Sequence, residues 1–349
     1  MVAQSKNRYL DILQIFRGIA ALMVVIHHAV GSLKYYHKID YTILSHIGTF
    51  GKLGVDFFFI LSGFIISYAA YYKYNDPKSF KNYINNRLIR VYVPYLPIGI
   101  LMVLLYSYFP AFSNGSRDIS LITSLTLFPH GNPALSVAWT LTFELCFYLF
   151  FSISFYSRKL WNYFVILWSF LILIFNYSPL NNFHINQYPL FRVFFSTYNI
   201  EFLLGYLLSL IIIHKIKISL KLQLLGLLLL LMFFLFPTFF PTRIPNFYLN
   251  YVFAVAMLFI LYVTITIFDK KINKNSILMH VGNASYSIYL IHNPLQMIVL
   301  RLLPKINSIV NIIISLVLVL FLSCIIGYVY YLIFEKKYLN FIKSKITKV

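Results

Sequence analysis

The stretch Arg17-Gly-Ile-Ala-Ala-Leu-Met-Val-Val-Ile-His-His28 decides the fold and points to the chemistry. It lies in an apolar run from Leu10 to Val30. Such a run can cross a bilayer, which takes about 20 residues at about 1.5 Å each. Yet it carries an arginine and two adjacent histidines. A charge at the centre of a spanning helix costs roughly 2.5–3.5 kcal/mol even on lenient insertion scales, so a plain anchor has no use for one. At about 100° per residue, Arg17 and His28 return to within about 20° of one helix face, about 16 Å apart along the axis. His27 points about 80° away from Arg17. One face thus presents a fixed cation at one depth and a titratable base about half a membrane further on.

The rest of the chain agrees with a membrane setting. Of 349 residues, 60% are hydrophobic and 11% charged. That excludes a soluble domain and predicts an all-α, polytopic integral membrane protein. The formal net charge is +20, from 29 Lys and Arg against 9 Asp and Glu. In a soluble chain such an excess would point to nucleic acid. Here the basic residues sit in short segments between apolar runs, and no nucleic-acid partner is expected. Apolar runs predict ten spans, at about 10–30, 53–72, 88–109, 135–156, 161–177, 194–213, 221–240, 247–268, 280–303 and 308–334. They form one membrane domain over 1–349 with no soluble domain. With the N-terminus inside, 20 Lys and Arg fall on one side, 8 on the other, and Arg17 within a span. The bias predicts that both termini are cytoplasmic. The first run keeps Arg17, His27 and His28 and has no small-residue cleavage site, so it reads as a retained span. The loops 110–134 and 178–193 then face outward and are long enough to shape a substrate mouth. Cys146 and Cys324 fall in predicted helices and read as ordinary buried thiols.

With nine acids in the chain, each one inside a span is informative. Asp56, in Gly54-Val-Asp-Phe-Phe-Phe-Ile-Leu-Ser-Gly63, falls at the outer start of the second span, at the depth expected for His28. Two readings stay open: a carboxylate that orients His28 as a base, or an N-terminal cap of the second helix. Ser62-Gly63 reads as a close-packing pair rather than a nucleophile. Glu144, in Trp139-Thr-Leu-Thr-Phe-Glu-Leu-Cys-Phe-Tyr148, needs a buried partner, which an arginine or a substrate hydroxyl would supply. Trp139 suits an interfacial belt, and Tyr148 lies one turn beyond Glu144. Glu201 reads as structural. Arg87 and Arg90, three apart on one face of the third span, form either a phosphate clamp or a snorkelling anchor. His292, in Ser285-Tyr-Ser-Ile-Tyr-Leu-Ile-His-Asn-Pro294, either lines the same cavity or bonds a carbonyl freed by Pro294 at a helix break. No spacing demands a metal, and none is expected.

Taken in order, Arg17 with His28, Gly54-Val-Asp56-Phe-Phe-Phe-Ile-Leu-Ser-Gly63, Arg87-Leu-Ile-Arg90, Trp139-Thr-Leu-Thr-Phe-Glu144 and Ser285-Tyr-Ser-Ile-Tyr-Leu-Ile-His292 resemble the membrane acyltransferase-3 family. Its members are bacterial ten-span enzymes of the plasma membrane that acylate surface glycans. The resemblance implies acetyl-CoA, or another acyl-CoA, as donor. It implies His28 as the catalytic histidine, and Arg17, Arg87 and Arg90 on the donor side. Glu144 matches the family's acid after the tryptophan. It implies membrane lipid and a glycan acceptor, a surface polysaccharide or a lipid-linked precursor, as partners; monomer and homo-oligomer both stay open. Many members have an aspartate three residues before the first-span arginine; here that residue is Gln14, a form that resembles the exopolysaccharide acetyl-transfer branch. Some members carry a fused extracytoplasmic domain, which is not expected in a chain ending soon after its last span. The rival reading from another class is a proton-coupled transporter or lipid-linked-sugar flippase, with Arg17, His28, Asp56 and Glu144 as a proton relay.

Overall fold

The computed structural model describes residues 11–39, 41–113, 118–177, 187–239, 246–267, 273–304 and 308–346. Lys6 and Arg8 of the charge count lie outside the described residues, as do 114–117 and 178–186 of the two outward loops. The chain is helical throughout, with no strand among the described residues beyond one isolated bridge, Ile119 to Asn132. Among the described residues the longer helices, of 13 residues or more, are α1 Asp11–His37, α2 Thr42–Ala70, α3 Lys78–Tyr108, α4 Trp139–Phe151, α5 Arg158–Tyr177, α6 Tyr198–Ile213, α7 Leu220–Phe239, α8 Asn246–Ile267, α9 Ser285–Leu302 and α10 Ile309–Tyr330. Eight helical stretches among the described residues are long and apolar enough to cross a membrane. The protein is an all-α polytopic membrane protein.

The centre of the bundle is α2. Its inward residues are buried along most of its length, from Gly48 to Ala70. Glycines let two neighbours approach its backbone. On one side, a Cβ at Gly51 would stand 2.5 Å from the Met23 carbonyl, and one at Gly54 2.5 Å from that of Ala20. On the other, a Cβ at Gly63 would meet the Phe202 carbonyl at 2.0 Å, and one at Gly205 the Ile60 carbonyl at 2.0 Å. In lipid there is no hydrophobic gain from pairing helices, so backbone contact of this kind is what holds α1, α2 and α6 together.

Three local features differ from the sequence reading. First, α1 runs on to His37 and α2 starts at Thr42, where a longer loop is expected. Second, the ninth span breaks at Ala284, between a short helix Ile277–Asn283 and α9, rather than at Pro294. The break falls where Gly282 packs on the backbone of Gln14, and the Ala284 N–H closes back on the His280 carbonyl at 3.1 Å. Pro294 sits inside α9 and leaves the Leu290 carbonyl without its helical donor. Third, α10 continues through a π-helical segment, Tyr331–Tyr338, into Leu339–Ile346. Ahead of α3, Asp76 accepts from Ser79 Oγ at 2.6 Å and from the Lys78 N–H at 3.2 Å. Those bonds, the Ser79 one foremost, hold its carboxyl below the usual carboxylate range.

Candidate active site

Six of the residues singled out from sequence line one cavity: Arg17, Ser62, Arg87, Arg90, Glu144 and Tyr148. It comprises about 750 Å3 of space not filled by atoms, part of it open to the outside. Five helices build it, because each turns a polar residue inward among apolar neighbours, Ser62 being that of α2. Arg17 comes from α1, Arg87 and Arg90 from one face of α3, Glu144 and Tyr148 from one face of α4, and Tyr286 and Tyr289 from α9. Arg17 Nη1 donates to Gln14 Oε1 at 3.1 Å. The Tyr148 hydroxyl donates to Glu144. The Arg87 guanidinium lies 5.4 Å from the Tyr148 ring centre and 5.7 Å from that of Tyr83, so two aromatic faces hold it. Neither Arg87 nor Arg90 makes an ion pair within 4 Å among the described residues. Two guanidiniums facing a cavity in that state suit an anionic ligand.

The far end of the cavity leads toward the histidines. Tyr289 and Thr140 line it, and their hydroxyls lie 2.9 Å apart. The Tyr289 ring is 5.7 Å from that of His292, which is 5.1 Å from that of His28. His28 and His27 are not lining residues; they form the layer behind Tyr289 together with His292. His292 is fully buried, with Nδ1 3.2 Å from the Ile288 carbonyl and Nε2 unpartnered among the described residues. The carbonyl it takes is thus one turn back, not that of Leu290. His27 Nδ1 lies 2.7 Å from the Gly48 carbonyl and ties α1 to α2. His28 Nδ1 lies 3.2 Å from the Asn293 side-chain amide. Sequence reasoning passed over Asn293 as part of a helix break; its signal was adjacency to His292.

The expected pairing of His28 with Asp56 does not form. The contacts of Gly51, Gly54 and the Phe16–Phe57 ring pair, 5.5 Å apart, run α1 and α2 antiparallel. In that register Asp56 lies level with the turn around Gly18, roughly 15 Å along the helix from His28 at about 1.5 Å per residue. Asp56 instead lies against the carboxyl of Glu201 on α6, and both side chains are buried. Two carboxyl groups in contact away from water share a proton, so the pair carries at most one charge. Asp56 is also not a cap, because α2 begins fourteen residues earlier, at Thr42.

A second cleft opens where Trp139, Phe143 and Tyr198 form an aromatic wall. Asn132, Ser136, Arg192 and Ser196 supply its polar side. Trp139 and Phe143 of the wall belong to the first turns of α4, whose Thr140 and Glu144 face the arginine cavity, and Tyr198 opens α6. Trp139 therefore stands between the two spaces. Among the described residues no group of three or more His, Cys, Asp or Glu is placed to hold a metal ion.

Comparison with known proteins bears on this arrangement. Residues 8–331 match a family described as an acyltransferase domain. Over 146 residues the chain is 29% identical to a protein named acyltransferase MdmB, from Streptomyces mycarofaciens. The aligned stretch covers 39% of this chain and 36% of that protein, so the chain spans about a third of the length of this curated relative. No solved structure matches.

Proposed function

The chain belongs to the acyltransferase-3 family, which matches it over residues 8–331, and from that premise we propose a membrane O-acyltransferase that takes acetyl from cytoplasmic acetyl-CoA. The acceptor is a hydroxyl of an extracytoplasmic or lipid-linked glycan, and the membrane is the bacterial plasma membrane. One observation carries the reading: a cavity with Arg17, Arg87 and Arg90 on its wall ends at Tyr289, one ring contact from His292 and two from His28.

The charge bias puts the arginine end on the cytoplasmic side, where the phosphates of acetyl-CoA meet the guanidiniums. The pantetheine arm runs along α1 toward His28, over the roughly 16 Å that separates the two residues. Asn293 orients the His28 ring. The Asn293 atom 3.2 Å from Nδ1 is the amide nitrogen; once that amide turns over, its oxygen accepts from Nδ1–H, and Nε2 keeps its lone pair and acts as base. His28 takes the proton of the acceptor hydroxyl, and the oxygen attacks the thioester carbonyl. The C–S bond breaks, and the departing thiolate takes the proton from His28. The Tyr289 and Thr140 hydroxyls, which bond each other at 2.9 Å and the Val137 carbonyl at 3.1 and 3.0 Å, shape the cavity wall beside the thioester. Glu144, held by Tyr148, fixes the clamp beside Arg87 and acts as a positioning residue. Trp139 and the cleft behind it form the acceptor side.

Arg87→Gln and Arg90→Gln should each weaken coenzyme A binding by about 10-fold, in line with the loss of one charge-assisted contact. Isothermal titration of detergent-solubilised protein reads this; unchanged affinity in both variants would return the pair to an anchoring role. The separation of Asp56 from His28 gives a second expectation. Asp56→Asn keeps a polar side chain of the same shape against Glu201 and is expected to hold turnover per folded molecule within about 10-fold, whereas a working dyad would cost about 10²–10⁴-fold. The buried Asp56–Glu201 pair is the feature a proton-coupled transporter explains better. On that reading Asp56→Asn abolishes proton-driven uptake in proteoliposomes and leaves coenzyme A unbound.

A further inference from the structure

Glu335, which the mechanism does not use, is half-buried and makes its bonds within the bundle. In sequence it stands in Phe334-Glu-Lys-Lys337 and looks like the start of a basic tail. It sits instead on the π-helical segment Tyr331–Tyr338. Turns of that kind are rare and gather at functional sites. Glu335 Oε1 accepts from the Ser287 N–H at 3.0 Å and from Ser287 Oγ at 2.5 Å. Ser287 lies in the first turn of α9, where N–H groups have no helical acceptor and a carboxylate is favoured.

The same junction is bonded to α3 around Arg90. The Tyr286 hydroxyl donates to the Val91 carbonyl at 2.9 Å, and that of Tyr330 to the Pro94 carbonyl at 2.7 Å. Tyr286, next to the Ser287 that Glu335 holds, lines the same cavity as Arg17 and Arg90, which are cations at this end of it. Glu335 itself does not line it; its bonds to Ser287 set it one residue from Tyr286, which bonds Val91 beside Arg90. The cations at this end are Arg17, Arg87, Arg90 and, nearby, Lys343, whose charge Arg90 and Arg87 oppose. Glu144 answers them from α4 and Glu335 from the π-helical segment that follows α10.

We infer that Glu335 is the resident counter-ion of the arginine cavity: it holds α9 through Ser287, next to the cavity-lining Tyr286, and limits how tightly the cavity grips an anion. The inference rests on the proposed donor site and adds a residue that tunes it. A cavity with three guanidiniums and no such counter-charge would retain the coenzyme product as strongly as it takes the donor. Glu335 is a positioning residue, since it touches no ligand.

Glu335→Gln separates charge from structure, because the amide oxygen still accepts both Ser287 bonds. With coenzyme A and inorganic pyrophosphate as probes on the full chain in detergent, E335Q should bind each about 3- to 10-fold tighter than wild type at low salt, and the gap should narrow at high salt. The KM for acetyl-CoA should fall with no rise in kcat. Ser287→Ala, which loosens the grip and keeps the charge, should leave both affinities within about 2-fold. Equal or weaker binding by E335Q, the same rise in Ser287→Ala, or an E335Q that fails to fold would each overturn the inference. If wild type binds pyrophosphate but not coenzyme A, and E335Q binds pyrophosphate tighter, the counter-ion stands and the donor reading falls. If wild type binds neither probe, both fall.

Discussion

Replacing His28 with alanine is expected to lower acyl transfer by about 10²–10⁴-fold, the usual contribution of a positioned general base. The expectation follows from where α1 puts the side chain. His28 shares a face with Arg17, so it lies along the line that a donor anchored at the arginines would take. It adjoins His292 at 5.1 Å and is oriented by Asn293 at 3.2 Å. His27, its neighbour in sequence, is committed to the Gly48 carbonyl at 2.7 Å and cannot stand in. His27→Gln is therefore expected to affect α1–α2 packing and to leave far more transfer than His28→Ala. The readout is acetyl transfer normalised to folded protein, with helix content and detergent melting checked for both. His28→Ala transfer within 10-fold of wild type would remove His28 from the chemistry.

Replacing Gly205 with leucine is expected to prevent the bundle from forming. A Cβ there would lie 2.0 Å from the Ile60 carbonyl and 2.8 Å from the Phe64 amide, both backbone atoms of α2 that no rotamer change can move. The helices would have to separate, and the Asp56–Glu201 pair would lose its shared setting. The cost should exceed the roughly 1–3 kcal/mol of ordinary overpacking. Gly31 offers the contrast. A Cβ there meets nothing within 4 Å, and the residue lies inside α1. Gly31→Ala should be neutral or stabilising by about 0.5–1 kcal/mol, from the higher helix propensity of alanine. Size-exclusion yield and melting temperature of the two variants test the pair. A folded, wild-type-like Gly205→Leu would contradict the close α2–α6 approach.

The parts legible in sequence were those set by one helix at a time. Arg17 and His28 on one face, Arg87 beside Arg90, and Glu144 above Tyr148 all follow from helical periodicity, and the structure brings the cationic and acidic members to one cavity. What periodicity does not carry is register between helices. Asp56 and His28 read as level because each was placed from its own span end. The glycine contacts of α1 with α2 set a different offset and hand Asp56 to Glu201. Glu335 was hidden for another reason: Lys336 and Lys337 make it look solvated, while on the π-helical turn it is half-buried and bonded to Ser287 of α9. Tyr289 and Asn293 stood in a quoted motif, but only the packing of α9 against α1 and α4 reveals what they touch.

The most direct test of the central claim is turnover of radiolabelled acetyl-CoA by the purified wild-type protein in detergent, with no ion gradient present. Release or transfer of labelled acetyl, lost in His28→Ala, is the expected result and places an acyltransfer site inside the helical bundle. Well-folded protein that neither binds nor turns over acetyl-CoA, yet drives proton-coupled uptake once reconstituted, would contradict it.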